Sequence, residues 1–193
     1  MDLKGKKIGF AMCGSFCTFK RAITTLEEIA KTGADITPIM SGISSSTDTR
    51  FGTAEHFKSQ IQKITGNEII TEIKDAEPIG PKNLLDMLVV MPCTGNTLAK
   101  IASGIADTSV TMAVKAHLRN QKPVLIAVST NDGLGTAAKN IAVLMNNKNI
   151  FFIPFAQDDY IKKPNSLVAV FEDAVPSIEA AFEGKQLQPV LSF

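Results

Sequence analysis

Val89-Val90-Met91-Pro92-Cys93-Thr94-Gly95-Asn96-Thr97-Leu98-Ala99-Lys100 decides how this chain is read. An apolar run gives way to a helical pattern through a knot of small polar residues that carry scarcely any charge. Four or five consecutive apolar residues have the length of a buried strand, and the polar knot sits where the strand hands over to a helix. Such a junction is either an ordinary capped turn or a cradle for something small and polar.

The same alternation runs outward in both directions. Lys7 to Met12, Ile36 to Met40, Met87 to Met91, Val124 to Val128 and Ile150 to Ile153 have the length and β-branched content of buried strands, and Ile69 to Ile73 is a weaker candidate. Between them lie helical patterns over Phe19 to Lys31, Ala54 to Ile64, Thr97 to Ala106, Thr108 to Arg119 and Thr136 to Met145. In the first of these Ala22, Ile23, Leu26, Ile29 and Ala30 form the apolar stripe. After Pro154 the pattern weakens into a polar loop, Asp158 to Asn165, and a closing helix over Glu172 to Phe182. Strands alternating with helices of this size predict crossover units and a parallel sheet covered on both faces. The expected fold is α/β, a three-layer sandwich around a doubly wound parallel sheet, with residues 1–193 forming a single domain.

Composition bounds the function. Twenty Lys and Arg balance nineteen Asp and Glu, so no overall field draws phosphate backbones or acidic membranes, and nucleic acid is not an expected partner. No run reaches the apolar length that spans a bilayer. The N-terminal MDLKGKKIGFAMCGS has basic residues, but its apolar run is only a strand long and reads as folded structure rather than a signal peptide. Three cysteines fit a reducing compartment better than a disulfide framework, which gives a cytoplasmic expectation.

In open α/β sheets ligands bind beyond the carboxyl ends of the strands. Here those ends carry CGSFCT (13–18), SGISSSTDT (41–49), PCTGNT (92–97) and STNDGLG (129–135), all rich in Ser, Thr, Gly and Asn. Hydroxyls, amides and glycine-exposed N–H groups at helix starts suit a phosphate that must be held without many cations. The same residues also cap helices in many proteins; four such loops on one rim favour a phosphorylated ligand. The spacing of Gly9, Ala11 and Gly14 is not the dinucleotide fingerprint, and GxxxxGK[ST] is absent, so neither usual nucleotide loop is present.

Other side chains are weighed against plainer roles. His56 and His117 both fall inside expected helices, away from the strand ends, and read as surface or packing residues rather than catalytic ones. Cys13, Cys17 and Cys93 follow two strands whose adjacency would make three sulfurs converge, although no CxxC supports a metal. Asp48, Arg50 and Phe51 place an anion, a cation and a ring beside the serine cluster, and Arg50 is either a clamp for a substrate carboxylate or phosphate or a solvated loop arginine.

PCTGNTLAKIASGIAD, residues 92–107, resembles the "PASANT" segment and following helix of the flavin-dependent cysteine decarboxylase family, with Pro92, Asn96, Thr97, Lys100, Ile101, Gly104, Ile105, Ala106 and Asp107 matching, as does Asn140-Ile141. The likeness covers almost the whole chain. It implies a Rossmann-like flavoprotein fold with FMN as cofactor. Gly14 and Ser15 match the family's first flavin-phosphate loop, Ser41 the hydroxyl after the second strand, and Thr94, Asn96 and Thr97 the segment beside the flavin ring. Gly95 is read as allowing close backbone approach and Asn96 as an amide that both donates and accepts. Two departures stand out. The decarboxylases carry a histidine where this chain has Pro78, and their PxMNxxM clamp is replaced by Val128-Ser129-Thr130-Asn131-Asp132-Gly133-Leu134, which keeps only Asn131. The group expected to act as acid or base in cysteine decarboxylation is therefore missing.

GFAMCGSFCTF and SGISSSTDTRFG are similar to a branch of that family found in sporulating bacteria. The resemblance implies a subunit working in the mother-cell cytoplasm with a separate NAD(P)-dependent partner, on a small dicarboxylate that it helps convert from a dihydro precursor to pyridine-2,6-dicarboxylate. It also implies a homo-oligomer, with Asn96 and Arg50 as the residues nearest the chemistry. A decarboxylase of a cysteinyl substrate and a scaffold that kept the fold but lost the flavin remain alternatives.

Overall fold

The computed structural model describes residues 2–192, so the two end residues of the expected domain, Met1 and Phe193, lie outside the described residues. The first strand, β1, runs Lys7–Met12 and feeds through a 3-10 turn, Phe16–Thr18, into α1, Phe19–Lys31. Phe19, Ala22, Ile23, Leu26 and Ile29 of α1 are buried, the spacing expected when one stripe of a helix faces a sheet. Next come β2, Asp35–Met40, a single turn α2, Gly42–Ser46, and α3, Ala54–Thr65. Gly66, at φ 70° in the left-handed region, ends α3. The short α4, Ile73–Ala76, precedes β3, Met87–Cys93, which leads into α5, Gly95–Ala102.

The Ile69 to Ile73 segment is not a strand. Ile70 alone bridges Ile39 on the outer edge of β2, with the Ile70 N–H donating to Pro38 O (2.9 Å) and the Met40 N–H to Ile70 O (2.9 Å), after which the chain coils into α4. The helix expected over Thr97 to Ala106 stops at Ala102 because Gly104 takes φ 70°. The Ile105 N–H then reaches back to Lys100 O (2.9 Å) and the Gly104 N–H to Ile101 O (3.1 Å), a Schellman closure that satisfies the orphan carbonyls.

α6, Ser109–Leu118, opens with a capping box between Thr108 and Thr111 and is followed by β4, Val124–Thr130, then α7, Ala138–Met145, and β5, Ile150–Phe152. Beyond Pro154 the structure holds more order than the sequence pattern shows: β6, Phe155–Ala156, and β7, Leu167–Ala169, pair antiparallel, and α8, Ala174–Phe182, closes the fold.

Five strands pair in parallel in the order β2-β1-β3-β4-β5. The sheet is mixed rather than wholly parallel, because the far edge of β4 is divided: Val124 to Ile126 pair with β5, while Ser129 and Thr130 pair antiparallel with β7. Alternate strand residues feed two cores. Ile8, Phe10, Met12, Met87, Val89 and Leu125 face α1, α3 and α8; Ala11, Leu88, Val90, Val124 and Ile126 face α4 to α7. That alternation makes the three layers.

The chain leaves β1 toward β2 on one side and returns to β3 on the other, so β1 and β3 form the switch point of the sheet. The loop after β1 climbs to α1 on one face and the loop after β3 climbs to α5 on the opposite face, which opens a crevice between them. At the top of β3 the pairing with β4 slips between Val90 and Cys93, and this irregularity turns the Cys93 side chain into the same core as Cys13.

Candidate functional site

Two cavities open at the switch point and share a wall. One, of about 590 Å³, is lined by Gly14, Ser41, Gly42, Ile43, Thr71 to Ile73, Thr94, Asn96, Thr97, Lys100 and Asp107 to Ser109. The other, of about 700 Å³, is lined by Gly14 to Thr18, Arg21, Arg50, Phe51, Thr94, Gly95, Ser129 to Asn131, Asp158, Lys163 and Val168. Gly14 and Thr94 belong to both. The residues expected on a single rim are thus divided: Ser41, Asn96 and Thr97 stand on one side of the wall, and Ser15, Gly95, Arg50 and Asn131 on the other.

Local capping explains how each polar group is held. Ser41 caps α2, its Oγ accepting from the Ser44 N–H (3.4 Å) and lying 3.0 Å from the Ser44 hydroxyl, which in turn donates to Met12 O (3.0 Å). Thr94 caps α5, accepting from the Thr97 N–H (3.2 Å) and donating to Thr97 Oγ1 (3.1 Å). Ser15 is tied across the crevice to the end of β4, with its Oγ 2.8 Å from Ser129 Oγ. Ser41 and Thr94 thus cap helices while lining the cavities, and Ser15, which makes no side-chain cap, lines the larger one. Asn96 differs. It is exposed in the lining and its amide is unpaired among the described residues.

Gly95 is also crowded from within the chain. A Cβ there would meet Thr130 Oγ1 at 2.7 Å and Asp132 Oδ1 at 2.9 Å, and those two side chains are hydrogen-bonded to each other. The close approach is made by the loop after β4. Gly14 is tighter than it looks on the other side of the wall, where a Cβ would stand 3.1 Å from Ile43 Cγ2.

Arg50 is exposed, stacks on Phe51 with its guanidinium 4.8 Å from the ring centroid, and lines the larger cavity. Asp48 is not its partner: the Asp48 carboxylate accepts from the Ala54 N–H (2.9 Å) at the start of α3. Sequence reasoning missed Lys100 and Asp107 as a pair, 2.8 Å apart across the Schellman turn, and the Lys100 ammonium holds the Asp107 carboxyl below its ordinary range. It missed Lys163 and Asp158 in the larger cavity, paired at 2.8 Å, where Lys163 first and the Ser166 hydroxyl second pull Asp158 down. Asp107, Asp158 and Lys163 lie in loops, and the only trace of either pair in the sequence is opposite charge a few residues apart.

Neither histidine joins the cavities. His56 is exposed on α3 with its ring against Phe57, while His117 is fully buried in α6, its Nε2 3.1 Å from Pro123 O and its Nδ1 without a partner among the described residues. Pro78 sits in the 3-10 turn Glu77–Ile79, outside both linings. Two of the three cysteines are brought together: Cys13 and Cys93 are buried in the same core, whereas Cys17 is exposed beside Ser15. Among the described residues no group of three or more His, Cys, Asp or Glu is placed to hold a metal, and no helix is long and apolar enough to cross a membrane.

Known proteins resemble this chain closely. It is 47% identical over 190 residues to the B subunit of dipicolinate synthase from Bacillus subtilis, a match spanning 98% of this chain and 95% of that one. The crystal structure of the dipicolinate synthase B subunit from Bacillus halodurans C superposes with a TM-score of 0.92 at 44% identity, covering 100% of this chain and 99% of its own. The FMN-dependent cysteine decarboxylase SpaF shares the fold, with a TM-score of 0.67 at 23% identity over 94% of this chain and 98% of its own. The sequence model named Flavoprotein matches residues 1–178. With this fold, this switch-point crevice and that match, the chain belongs to the flavoprotein family.

Proposed function

We propose that this chain acts as the B subunit of dipicolinate synthase, working beside an NAD(P)-dependent A subunit to convert a dihydrodipicolinate-level precursor to pyridine-2,6-dicarboxylate in the mother cell of a sporulating bacterium. The observation that carries the reading is the pair of cavities meeting at Gly14 and Thr94 on the switch point of a β2-β1-β3-β4-β5 sheet. The near full-length identity to the Bacillus subtilis protein supports the choice of reaction.

The donor set fits FMN. Ser15, Ser41, Thr94 and Thr97 offer hydroxyls, the start of α5 offers backbone N–H groups at Gly95 and Asn96, and the Asn96 amide is free to donate and accept. Gly14, Ser15, Ser41 and Thr94 to Thr97 would hold the flavin against the shared wall, with Asn131 closing the β4 side. The flavin supplies a two-electron acceptor. Making the ring aromatic removes two electrons and two protons from the dihydro compound, and either that acceptor or the partner's nicotinamide takes the electrons. Arg50 grips a substrate carboxylate: its guanidinium pairs with no acid among the described residues, its fork matches a carboxylate, and its stack on Phe51 limits its freedom. Asn96 hydrogen-bonds at the reacting ring. We place this protein in the cytoplasm as a homo-oligomer.

Reconstitution tests the reading. The purified chain, its A subunit, a nicotinamide and the precursor are combined with and without FMN, and the ultraviolet absorbance of the aromatic product is followed. Product should form with both subunits; equal rates from the A subunit alone overturn the proposal.

A further inference from the structure

The two buried sulfurs are left unused by this reading. Cys13 follows the end of β1 and Cys93 ends β3, neighbouring parallel strands, and the Cys13 N–H donates to Pro92 O (3.2 Å), which holds the two backbones together at that level. The slip in the β3 register brings both side chains into one core, and the residues that follow them, Gly14 and Thr94, form the wall common to the two cavities. Cys17, four residues after Cys13, is exposed. We propose that Cys13 and Cys93 are a redox-active dithiol that closes to a disulfide under hydroperoxide, pinning the shared wall of the cavities.

The chemistry balances within the pair. The Cys13 thiolate attacks a peroxide oxygen, the O–O bond breaks, and the leaving oxygen departs as water or alcohol after taking a proton, which leaves a sulfenic acid on Cys13. The Cys93 sulfur then attacks the Cys13 sulfur; the S–S bond forms, the S–O bond breaks, and the hydroxyl leaves with the Cys93 proton as water. Two electrons pass from the dithiol to the peroxide. Roles follow from the surroundings. The Cys93 thiol first, with the Thr97 and Thr94 contacts adding to it against burial, pulls the Cys13 thiol below the ordinary cysteine value, while its neighbour Cys13 first and burial second push Cys93 well above it. Both sulfurs are buried and line neither cavity, so a small peroxide would reach Cys13 through local opening of the start of α5, whose Thr97 lines the smaller cavity.

Oxidation of the pair is independent of what the cavities hold. The full chain is treated with hydrogen peroxide, denatured and alkylated, and its peptides are mapped, with amide hydrogen exchange measured on the intact protein. Of three alkylatable cysteines, one should remain after oxidation, at Cys17, with a Cys13–Cys93 cross-linked peptide, and reductant should restore all three. Cys17→Ser should lose both remaining sites in the same way, Cys13→Ser should keep its two, and Cys93→Ser should lose the Cys13 site to a dimedone-reactive sulfenic acid with no cross-link to it. Exchange across Gly14 to Thr18 and Thr94 to Leu98 should slow on oxidation. Three alkylated cysteines after oxidation, a cross-link through Cys17, or a cross-link with no change in exchange there would overturn the proposal.

Discussion

Lowering the pH from 7 to 5 should cost this protein stability through a single side chain, His117. Its ring is fully buried in α6, Nε2–H donates to Pro123 O at 3.1 Å, and Nδ1 faces the core without a partner among the described residues. Burial first, with a smaller push from the Lys122 ammonium, lowers its pKa to about 4, while the Pro123 carbonyl and the Asp86 carboxylate pull the other way. The folded state thus keeps the ring neutral over a range in which the unfolded chain, at the ordinary 6.5, takes up a proton. Stability is complete above pH 6.5 and is lost as the pH falls toward 4, because there the unfolded state binds the extra proton. The gap between 6.5 and about 4, at about 1.4 kcal/mol per pH unit, comes to about 3 kcal/mol, of which about 2 kcal/mol should already be gone at pH 5. Urea unfolding of the wild type and His117→Gln at pH 7, 6 and 5 measures it. The glutamine does not titrate, so its stability should change much less over that window; Asp86, Asp107 and Asp158, whose carboxyls are held low, lose their contributions only in more acid solution. Equal losses for both proteins between pH 7 and 5 would refute the buried neutral ring.

Gly95→Ala should destabilise by about 1–3 kcal/mol, since the new methyl group collides with Thr130 and Asp132, and adding Thr130→Ala should recover part of that in a urea midpoint. Ser15→Ala should cost about 1 kcal/mol through the lost bond to Ser129 and weaken FMN binding, read by quenching of flavin fluorescence. Arg50→Ala should leave the midpoint within about 0.5 kcal/mol, because the side chain is exposed, yet raise the dicarboxylate KM roughly tenfold or more, with Arg50→Lys in between; an unchanged KM removes Arg50 from the site.

The layered α/β architecture was legible because the five parallel strands are buried on both faces and so read as apolar runs, and β1 and α1 match their expected limits. Segments with weaker periodicity were not. Ile70 contributes one bridge, too little to distinguish from a strand by composition, and β6 and β7 are too short to alternate. Gly104 stops α5 early although Ile105 and Ala106 continue the apolar pattern, since a left-handed residue ends a helix whatever follows. At the site, loop composition pointed to the polar residues as one rim but was blind to the wall that sorts them between two cavities, which depends on α1 and α5 leaving the sheet on opposite faces. The crowding at Gly95 was equally hidden, being set by the side chains of Thr130 and Asp132 far along the chain.

The divided edge of β4 separates what the two chambers are made of. Most of the smaller chamber's lining is built by the crossovers of the parallel sheet, whereas Asp158, Lys163 and Val168 of the larger one ride on a hairpin that pairs with β4 at Ser129 and Thr130. Evolution can therefore lengthen, shorten or recharge that hairpin, and with it the choice of guest on one side, while the opposite pocket keeps its shape.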